Sequence, residues 1–295
     1  MAPDRMPPDR MPAQWPYRDR VRRVASRPHD WSVIDAGEGP VLLLLHGAGG
    51  AGHSFRHLIP LLTPRYRVIV PDLPGQGFTR SGSRSRYGID PMAEDMAQLC
   101  LTLGVEPQAI IGHSAGAALA LRLTEFLAPR GVVGINAALG AFDGAAGVMF
   151  PLLARVLAVT PFIPHVVARL WGTPATVAKL LSATGSPLDA EGQAQYLALV
   201  RDAAHVDGTL GMMAQWRLED LMARLPSIST PCLLIASGGD LAVPARISRD
   251  AARLLPAAQY VELPALGHLV HEEAAPDVAA VLLPWLAALV AAPGR

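Results

Sequence analysis

The amino-acid sequence predicts an α/β fold in which a mostly parallel central sheet carries helices on both faces. Short apolar runs alternate with helix-like segments along most of the chain, and this alternation is typical of parallel strands joined by crossover helices. One interval, residues 139–227, has several helical runs but no strand pattern. The chain has 295 residues, enough for one domain that carries such an insertion.

The elements follow in order after an N-terminal segment, residues 1–23, that is rich in proline, arginine and aspartate. This segment has no apolar stretch of the kind found in a signal peptide, so we expect a disordered tail and a cytoplasmic protein. Apolar runs predict strands at residues 31–34, 41–45, 66–70, 109–111, 132–136, 232–236 and 259–263. Helical periodicity predicts helices at residues 92–103 and 117–127.

Residues 139–227 are predicted to form a helical cap inserted after the sixth core strand, with the core made of residues 24–138 and 228–295. Residues 142–181 contain only Asp143, Arg155, Arg169 and Lys179 as formal charges. So few charges leave the cap with little polar surface. This favours an apolar ligand, and it leaves open a peripheral membrane contact through the cap. The proposed substrate-binding residues are Phe150, Trp171, Met213 and Trp216. Other cap residues that could face a substrate are Tyr196, His205, Asp207 and Met212.

The pentapeptide from Gly112 to Gly116 has the pattern Gly-x-Ser-x-Gly between a predicted strand and a predicted helix. A sharp strand-to-helix turn exposes the serine Oγ as a nucleophile, and glycines allow the close approach of strand and helix that this turn requires. Ser114 is therefore the candidate nucleophile.

A serine nucleophile needs a base and a carboxylate that orients the base. Asp240 and His268 follow the last two predicted strands, where sites form in parallel sheets, and are the candidate acid and base. Alternatives are that Asp240 caps a helix beginning near Pro244 and that His268 is a surface or capping histidine. His271 is a second, weaker candidate for the base.

The oxyanion formed during acyl transfer needs two backbone N–H donors. Ala115 follows the nucleophile, and Ala48 lies in the glycine-rich loop after the strand at residues 41–45; these two are the candidate donors. His46 in the same loop is interpreted as a structural histidine. The loop lacks the Lys-Ser/Thr ending of a phosphate-binding loop.

Composition narrows the choice of partner and cofactor. The 25 basic and 25 acidic residues give a net charge of zero, which provides no general attraction to nucleic acid. Cys100 and Cys232 are interpreted as core residues. No zinc-type spacing of cysteine and histidine occurs, so no metal or other cofactor is expected. No apolar stretch suggests a transmembrane helix.

Taken together, the His46–Gly50 loop, the Asp72–Gly77 loop and the Ser114, Asp240 and His268 motifs resemble the α/β-hydrolase superfamily. More narrowly, the segments 72–80, 112–118, 134–139, 204–208 and 267–273 resemble the magnesium-chelatase accessory proteins of bacteriochlorophyll biosynthesis. This resemblance implies a tetrapyrrole-related substrate and magnesium-chelatase subunits as partners. Gln76 departs from the pattern, since many superfamily members carry histidine there.

Three functions remain open. The leading hypothesis is a serine hydrolase acting on an ester or related bond of an apolar substrate. The same residues could hydrolyse a carbon–carbon bond. The chain could also be a non-catalytic porphyrin carrier or chaperone for the chelatase. Chemistry based on an aspartate nucleophile is disfavoured, because the turn holds Ser114.

Overall fold

The computed structural model describes residues 11–140 and 163–291. These residues include eight strands, which are β1 (Val21–Ser26), β2 (His29–Ala36), β3 (Val41–Leu45), β4 (Arg67–Pro71), β5 (Ala109–His113), β6 (Gly131–Ile135), β7 (Cys232–Ser237) and β8 (Ala258–Leu263). They form one sheet in the order β1-β2-β4-β3-β5-β6-β7-β8. The β1–β2 and β2–β4 pairs are antiparallel, and the pairs from β4–β3 to β7–β8 are parallel. The predicted mostly parallel sheet is confirmed.

The α-helices are α1 (Ile59–Leu62), α2 (Ile89–Leu103), α3 (Ala115–Arg122), α4 (Ile163–Trp171), α5 (Pro174–Ala183), α6 (Ala190–Val200), α7 (Ala203–Gln215), α8 (Glu219–Arg224), α9 (Ala245–Leu254), α10 (Val270–Glu273) and α11 (Ala275–Ala291). Helices α4 to α8 lie between β6 and β7, which agrees with the predicted helical insertion. In the described part of the chain, no helix is both long and apolar enough to cross a membrane.

The sheet is buried on both faces because its central strands are almost wholly apolar. Strands β5, β6 and β7 are buried at every residue, as expected for parallel strands covered on both sides. On one face, α2 and α3 pack against the sheet through residues such as Met92, Met96 and Leu119. On the other face, α1 and α11 contribute Leu62 and Leu282 to a second apolar cluster.

The predicted disorder of residues 1–23 is wrong for residues 11–23. Met11 and Trp15 are buried, and they pack in a small apolar cluster with Phe78. The Trp15 ring lies 4.9 Å from the rings of both Phe78 and His53. Strand β1 already begins at Val21, so the ordered core starts before residue 24. Residues 1–10 lie outside the described residues.

The loops that follow the parallel strands meet at one edge of the sheet, because the carboxyl ends of parallel strands point the same way. Strands β3, β4, β5 and β6 are followed directly by His46, Asp72, Ser114 and Asn136, respectively. Asp240 and His268 lie a few residues after the ends of β7 and β8. The fold therefore gathers the predicted site residues at this edge.

Candidate active site

Ser114 occupies the turn between β5 and α3 with a strained backbone. Its φ of 53° and ψ of −117° lie in a region that residues other than glycine rarely adopt. The turn is held in place by hydrogen bonds: Ser114 N donates to Ile135 O at 2.9 Å, and Ser114 O accepts from Ala117 N and Ala138 N, each at 3.1 Å. The surrounding backbone thus imposes the conformation that lifts this side chain out of the sheet.

Both glycines of the pentapeptide are required by close backbone contacts. A Cβ at Gly112 would lie 2.2 Å from Gly116 O, and a Cβ at Gly116 would lie 2.2 Å from Leu45 O. Side-chain atoms do not fit at such distances, so α3 can start directly on top of β3 and β5 only with glycine at these positions. The structure thereby provides the physical reason for the Gly-x-Ser-x-Gly spacing.

His268 and Asp240 form a buried pair. His268 Nδ1 lies 2.7 Å from Asp240 Oδ2, and the side chain of Asp240 is fully buried. The other carboxylate oxygen, Asp240 Oδ1, accepts from Ala242 N at 2.8 Å and Val243 N at 2.7 Å. Helix α9 begins after Pro244 without a side-chain cap, so Asp240 orients the imidazole and does not cap that helix. An Nδ1–H bonded to the carboxylate leaves His268 Nε2 free to accept a proton.

The loop that carries His268 is tied to the nucleophile turn. His113 Nε2 donates to His268 O at 3.0 Å, and the two imidazole rings are 4.7 Å apart. Because His113 directly precedes Ser114, this bond places the loop of His268 beside the turn that holds Ser114.

Asn136 connects two loops of the candidate site, although the sequence predicted it only as the last residue of a strand. Its Nδ2 donates to His268 O at 2.8 Å and to Gly267 O at 3.1 Å, while its Oδ1 accepts from Ser237 N at 2.8 Å. The side chain therefore joins the end of β7 to the base loop. The sequence feature that could have identified Asn136 is an amide side chain directly after a buried apolar strand.

The loop after β3 directs the Ala48 N–H through its neighbouring peptide carbonyl. Gly47 O is held by His46 Nδ1 at 2.8 Å and by Gly50 N at 3.1 Å. Since the C=O and N–H of a trans peptide point in opposite directions, the Ala48 N–H points away from these donors. A Cβ at Gly47 would lie 3.0 Å from Ser114 Cβ, so the loop lies against Ser114. Ala115 is the first residue of α3, where the backbone N–H has no partner within the helix.

His46 and His271 are both buried and neither contacts the Asp240 carboxylate. His46 Nε2 accepts from Leu73 N at 2.9 Å, and burial lowers the pKa of His46 to about 4, so His46 fixes the loop as a neutral side chain. Both ring nitrogens of His271 are buried without a hydrogen-bond partner, and its ring lies 4.2 Å from that of His113. Of the two late histidines, the structure brings His268 to the carboxylate.

The cap residues named from the sequence have different surroundings. Trp171 and Met213 are exposed, while Trp216 packs against the core with its Nε1 buried and unpaired. Phe150 lies outside the described residues. Four others bind core residues: Tyr196 binds Glu272, Asp207 binds Arg84, Met212 binds Gln76, and His205 binds Gly77 and Gly49.

A turn of the cap, residues 184–186, rests on both loops of the acid–base pair. Thr184 O accepts from Leu241 N and from His268 N, each at 3.2 Å. Ser186 Oγ accepts from Leu269 N at 2.8 Å. The contact is tight, because a Cβ at Gly185 would lie 2.4 Å from Gly239 O. The cap therefore takes part in holding the loops of Asp240 and His268, a contact for which the sequence offered no signal.

A buried ion pair anchors α10 beneath the site. Arg56 Nη1 donates to Glu272 Oε2, both side chains are at most 5% exposed, and Tyr196 OH donates to Glu272 Oε1 at 2.7 Å. Burial raises the pKa of Glu272 to about 7, although the Arg56 guanidinium acts in the opposite direction.

Replacement Arg56→Met is expected to lower the free energy of unfolding by about 3–5 kcal/mol at pH 8.5, because it leaves a buried carboxylate without its cation. A carboxyl whose pKa is raised in the folded state lowers the stability of the protein as the pH rises through that pKa. The loss should therefore be smaller at pH 6, where Glu272 takes up a proton. Urea unfolding at the two pH values measures both quantities.

The double variant Arg56→Met with Glu272→Gln should recover most of the loss at pH 8.5. Arg249→Met, which removes an exposed pair with Glu262, is the matched control and should leave the unfolding free energy nearly unchanged. A loss that is the same at both pH values, or that persists in the double variant, would mean that Arg56 acts by packing alone.

The fold and motifs agree with comparisons to known proteins. A family model described as alpha/beta hydrolase fold matches residues 40–275. The chain is 54% identical over 284 residues, 95% of its length and 99% of the relative's, to the "Magnesium-chelatase 30 kDa subunit" of Rhodobacter capsulatus.

Solved structures show the same fold at lower sequence identity. The epoxide hydrolase CorEH superposes with a TM-score of 0.77 at 19% identity, covering 91% of this chain and 99% of that one. A thermophilic esterase from Thermogutta terrifontis gives a TM-score of 0.74 at 23% identity, covering 91% and 98%. At these identities the likeness is one of fold. This chain therefore belongs to the α/β hydrolase fold family, as a relative of the Rhodobacter capsulatus magnesium-chelatase 30 kDa subunit.

Proposed function

We propose that this protein is a serine hydrolase that cleaves an ester or related bond of an apolar, tetrapyrrole-related substrate. The observation that carries the proposal is the 2.7 Å contact between His268 Nδ1 and the buried Asp240 carboxylate. The His268 loop is bonded in turn to His113, next to Ser114. This arrangement fits the base and orienting acid of a serine nucleophile.

In the proposed reaction, Ser114 Oγ attacks the carbonyl carbon while His268 Nε2 takes the hydroxyl proton. Asp240 stabilises the imidazolium through Nδ1–H, and the N–H groups of Ala48 and Ala115 bind the developing oxyanion. Collapse of the intermediate breaks the bond to the leaving group, which receives the proton from His268. Water then attacks the acyl-enzyme by the same route and regenerates Ser114.

The proposed substrate class rests on the cap and on the relative. The few charges in residues 142–181 favour an apolar ligand, and a tetrapyrrole is large, flat and apolar. The relative is named as a subunit of magnesium chelatase. We therefore propose that this protein serves the same assembly in bacteriochlorophyll biosynthesis, in the cytoplasm.

A porphyrin carrier or chaperone is the second candidate, because the relative is named as a subunit of the chelatase and not as a hydrolase. Such a protein would need the pocket and the chelatase contact but no turnover. Hydrolysis of a carbon–carbon bond is a variant of the first proposal, since it uses the same three side chains.

The test is covalent labelling with a fluorophosphonate, which reacts with an activated serine. We expect the wild-type protein to be labelled at Ser114, as located by mass spectrometry. Asp240→Asn should slow labelling strongly, because it removes the acceptor that orients His268. Ser229→Ala, at an exposed serine, is the control and should be labelled normally. An unlabelled wild-type protein would contradict the hydrolase proposal.

Complementation of a deletion strain separates the enzyme from the carrier. If Ser114→Ala binds porphyrin but does not restore pigment synthesis, the protein acts as an enzyme. If Ser114→Ala restores synthesis fully, the carrier role is the physiological one.

A further inference from the structure

The loop that carries Ala48 is held by hydrogen bonds at three consecutive peptide groups. The first holds Gly47 O and comes from His46 Nδ1 at 2.8 Å. The second runs from Gly49 N to Gln76 Oε1 at 2.7 Å. The third joins Gly49 O to His205 Nε2 at 3.2 Å. His46 and Gln76 belong to the core, whereas His205 lies in α7 of the cap.

His205 uses both ring nitrogens in this contact. Nδ1 accepts from Gly77 N at 2.9 Å, so Nε2 carries the hydrogen that is donated to Gly49 O. The pattern requires a neutral imidazole, because a protonated ring has no acceptor for the Gly77 N–H. Burial lowers the pKa of His205 to about 4, which keeps the ring neutral near pH 7. The side chain therefore joins the loop after β4 to the loop after β3.

The helix that carries His205 is packed directly on the core backbone. A Cβ at Gly208 would lie 2.0 Å from Gly75 O, and a Cβ at Gly211 would lie 2.5 Å from the Tyr87 ring. One turn further on, Met212 Sδ accepts from Gln76 Nε2 at 3.0 Å. Helix α7 thus holds Gly49 twice, directly through His205 and indirectly through Gln76.

We propose that His205 is a positioning residue for the oxyanion site, and that the cap through it fixes the direction of the Ala48 N–H. The inference rests on the proposed function, because an oxyanion site matters only if Ser114 performs acyl transfer. Gly49 has a φ of 78°, and the peptide after it is held from outside the loop by His205. Gly49 O shares a peptide group with Gly50 N, which donates to Gly47 O at 3.1 Å. Loss of the His205 bond frees that peptide group and weakens the Gly50 bond, so the Gly47–Ala48 peptide keeps only the bond from His46 and the Ala48 N–H points less steadily at the oxyanion.

Steady-state hydrolysis of p-nitrophenyl butyrate by the full-length protein tests this proposal. Removal of one oxyanion donor costs about 10²–10³-fold in kcat, so a donor that is present but loosely directed should cost less. For His205→Leu we expect kcat to fall about tenfold, with KM changed less than about twofold, because the oxyanion exists only in the transition state.

Conservative variants separate positioning from folding. In His205→Gln the side-chain amide can reach Gly49 O and should restore most of kcat. His205→Asn keeps an acceptor near Gly77 N but no donor for Gly49 O, so it should stay as slow as His205→Leu. Gln215→Ala, on the same helix but bonded to Arg84 O outside this contact, is the control and should match the wild type. Equal rates in the Gln and Asn variants would overturn the proposal.

Hydrogen exchange of a peptide that covers residues 46–52 distinguishes failure of this inference from failure of the proposed function. If the wild-type protein has no esterase activity and no fluorophosphonate labelling, the proposed function fails. Faster exchange in His205→Leu but not in Gln215→Ala would still support the positioning role. Unchanged exchange in His205→Leu refutes it, whatever the activity.

Discussion

Replacement Ser114→Ala is expected to lower kcat for an ester by about 10⁶-fold and to leave KM within a factor of a few. The nucleophile forms the covalent bond on which the whole reaction depends, whereas substrate binding uses other groups. The backbone should not move, because the conformation of residue 114 is imposed by its bonds to Ile135, Ala117 and Ala138. Stopped-flow and steady-state hydrolysis of p-nitrophenyl butyrate measure the effect, and circular dichroism verifies the fold.

The companion variants should show that the three side chains act as a unit. His268→Ala is expected to equal Ser114→Ala in effect. Asp240→Asn should cost about 10⁴-fold, because it favours the wrong imidazole tautomer but retains the base. The double variant of Ser114→Ala with His268→Ala should be no slower than either single variant. Additive losses would contradict a single mechanism in which His268 acts only through Ser114.

Acidification is expected to destabilise the protein strongly between pH 6.5 and about pH 4. In the part of the chain that the structure describes, five buried histidines have a pKa below the ordinary value, chiefly because burial disfavours the charged ring. They are His46, His53, His113, His205 and His271. The unfolded chain takes up protons first as the pH falls through 6.5, so the stability present above pH 6.5 is lost toward pH 4.

Two buried carboxyl groups act in the opposite direction. Burial raises the pKa of Asp72 to about 6 and that of Glu272 to about 7, so the folded state takes up these protons before the unfolded chain does. Each histidine contributes up to about 1.4 kcal/mol per pH unit in this window. Since the histidines outnumber the two carboxyl groups, the net loss between pH 7 and pH 5 should be several kcal/mol. Urea unfolding across this range measures it.

His271 provides a clean variant for this prediction, because neither of its ring nitrogens has a hydrogen-bond partner. His271→Leu should therefore leave no polar group unpaired, and it should reduce the dependence of the unfolding free energy on pH. His165→Gln, at an exposed position of α4, is the control and should not change that dependence. An equal pH dependence in all three proteins would show that buried histidines do not control acid stability.

The central strands were predictable because each is an apolar run bounded by turn residues. Their order in the sheet, with β3 between β4 and β5, was not predicted, because the runs do not show on which side each crossover returns. Strand β1 was not predicted. Its residues alternate between buried and exposed with Arg22 and Arg23 among them, as is common for a charged edge strand. The burial of Trp15 was not predicted either, because a single apolar residue in a polar segment forms no pattern that indicates its packing partner.

The candidate residues Ser114, Asp240 and His268 could be named because their types and chain order are restrictive, but the residues that hold them in place could not. Asn136 contacts a loop more than a hundred residues away, and His205 lies 156 residues from Gly49. Such partners depend on how distant loops meet in space. His205 and Met212 were among several cap residues that could face a substrate, and their side chains bind core loops.

The turn at residues 184–186 bears on how the cap could be replaced by that of another protein with this fold. Because Thr184 O accepts from both Leu241 N and His268 N, a graft that replaced the whole insertion would also remove a support of the Asp240 and His268 loops. Simple deletion of the cap would therefore loosen these two loops as well as open the site. A chimaera that retains residues 184–186 and His205 keeps these contacts. These positions should therefore be left unchanged when the rest of the cap is replaced.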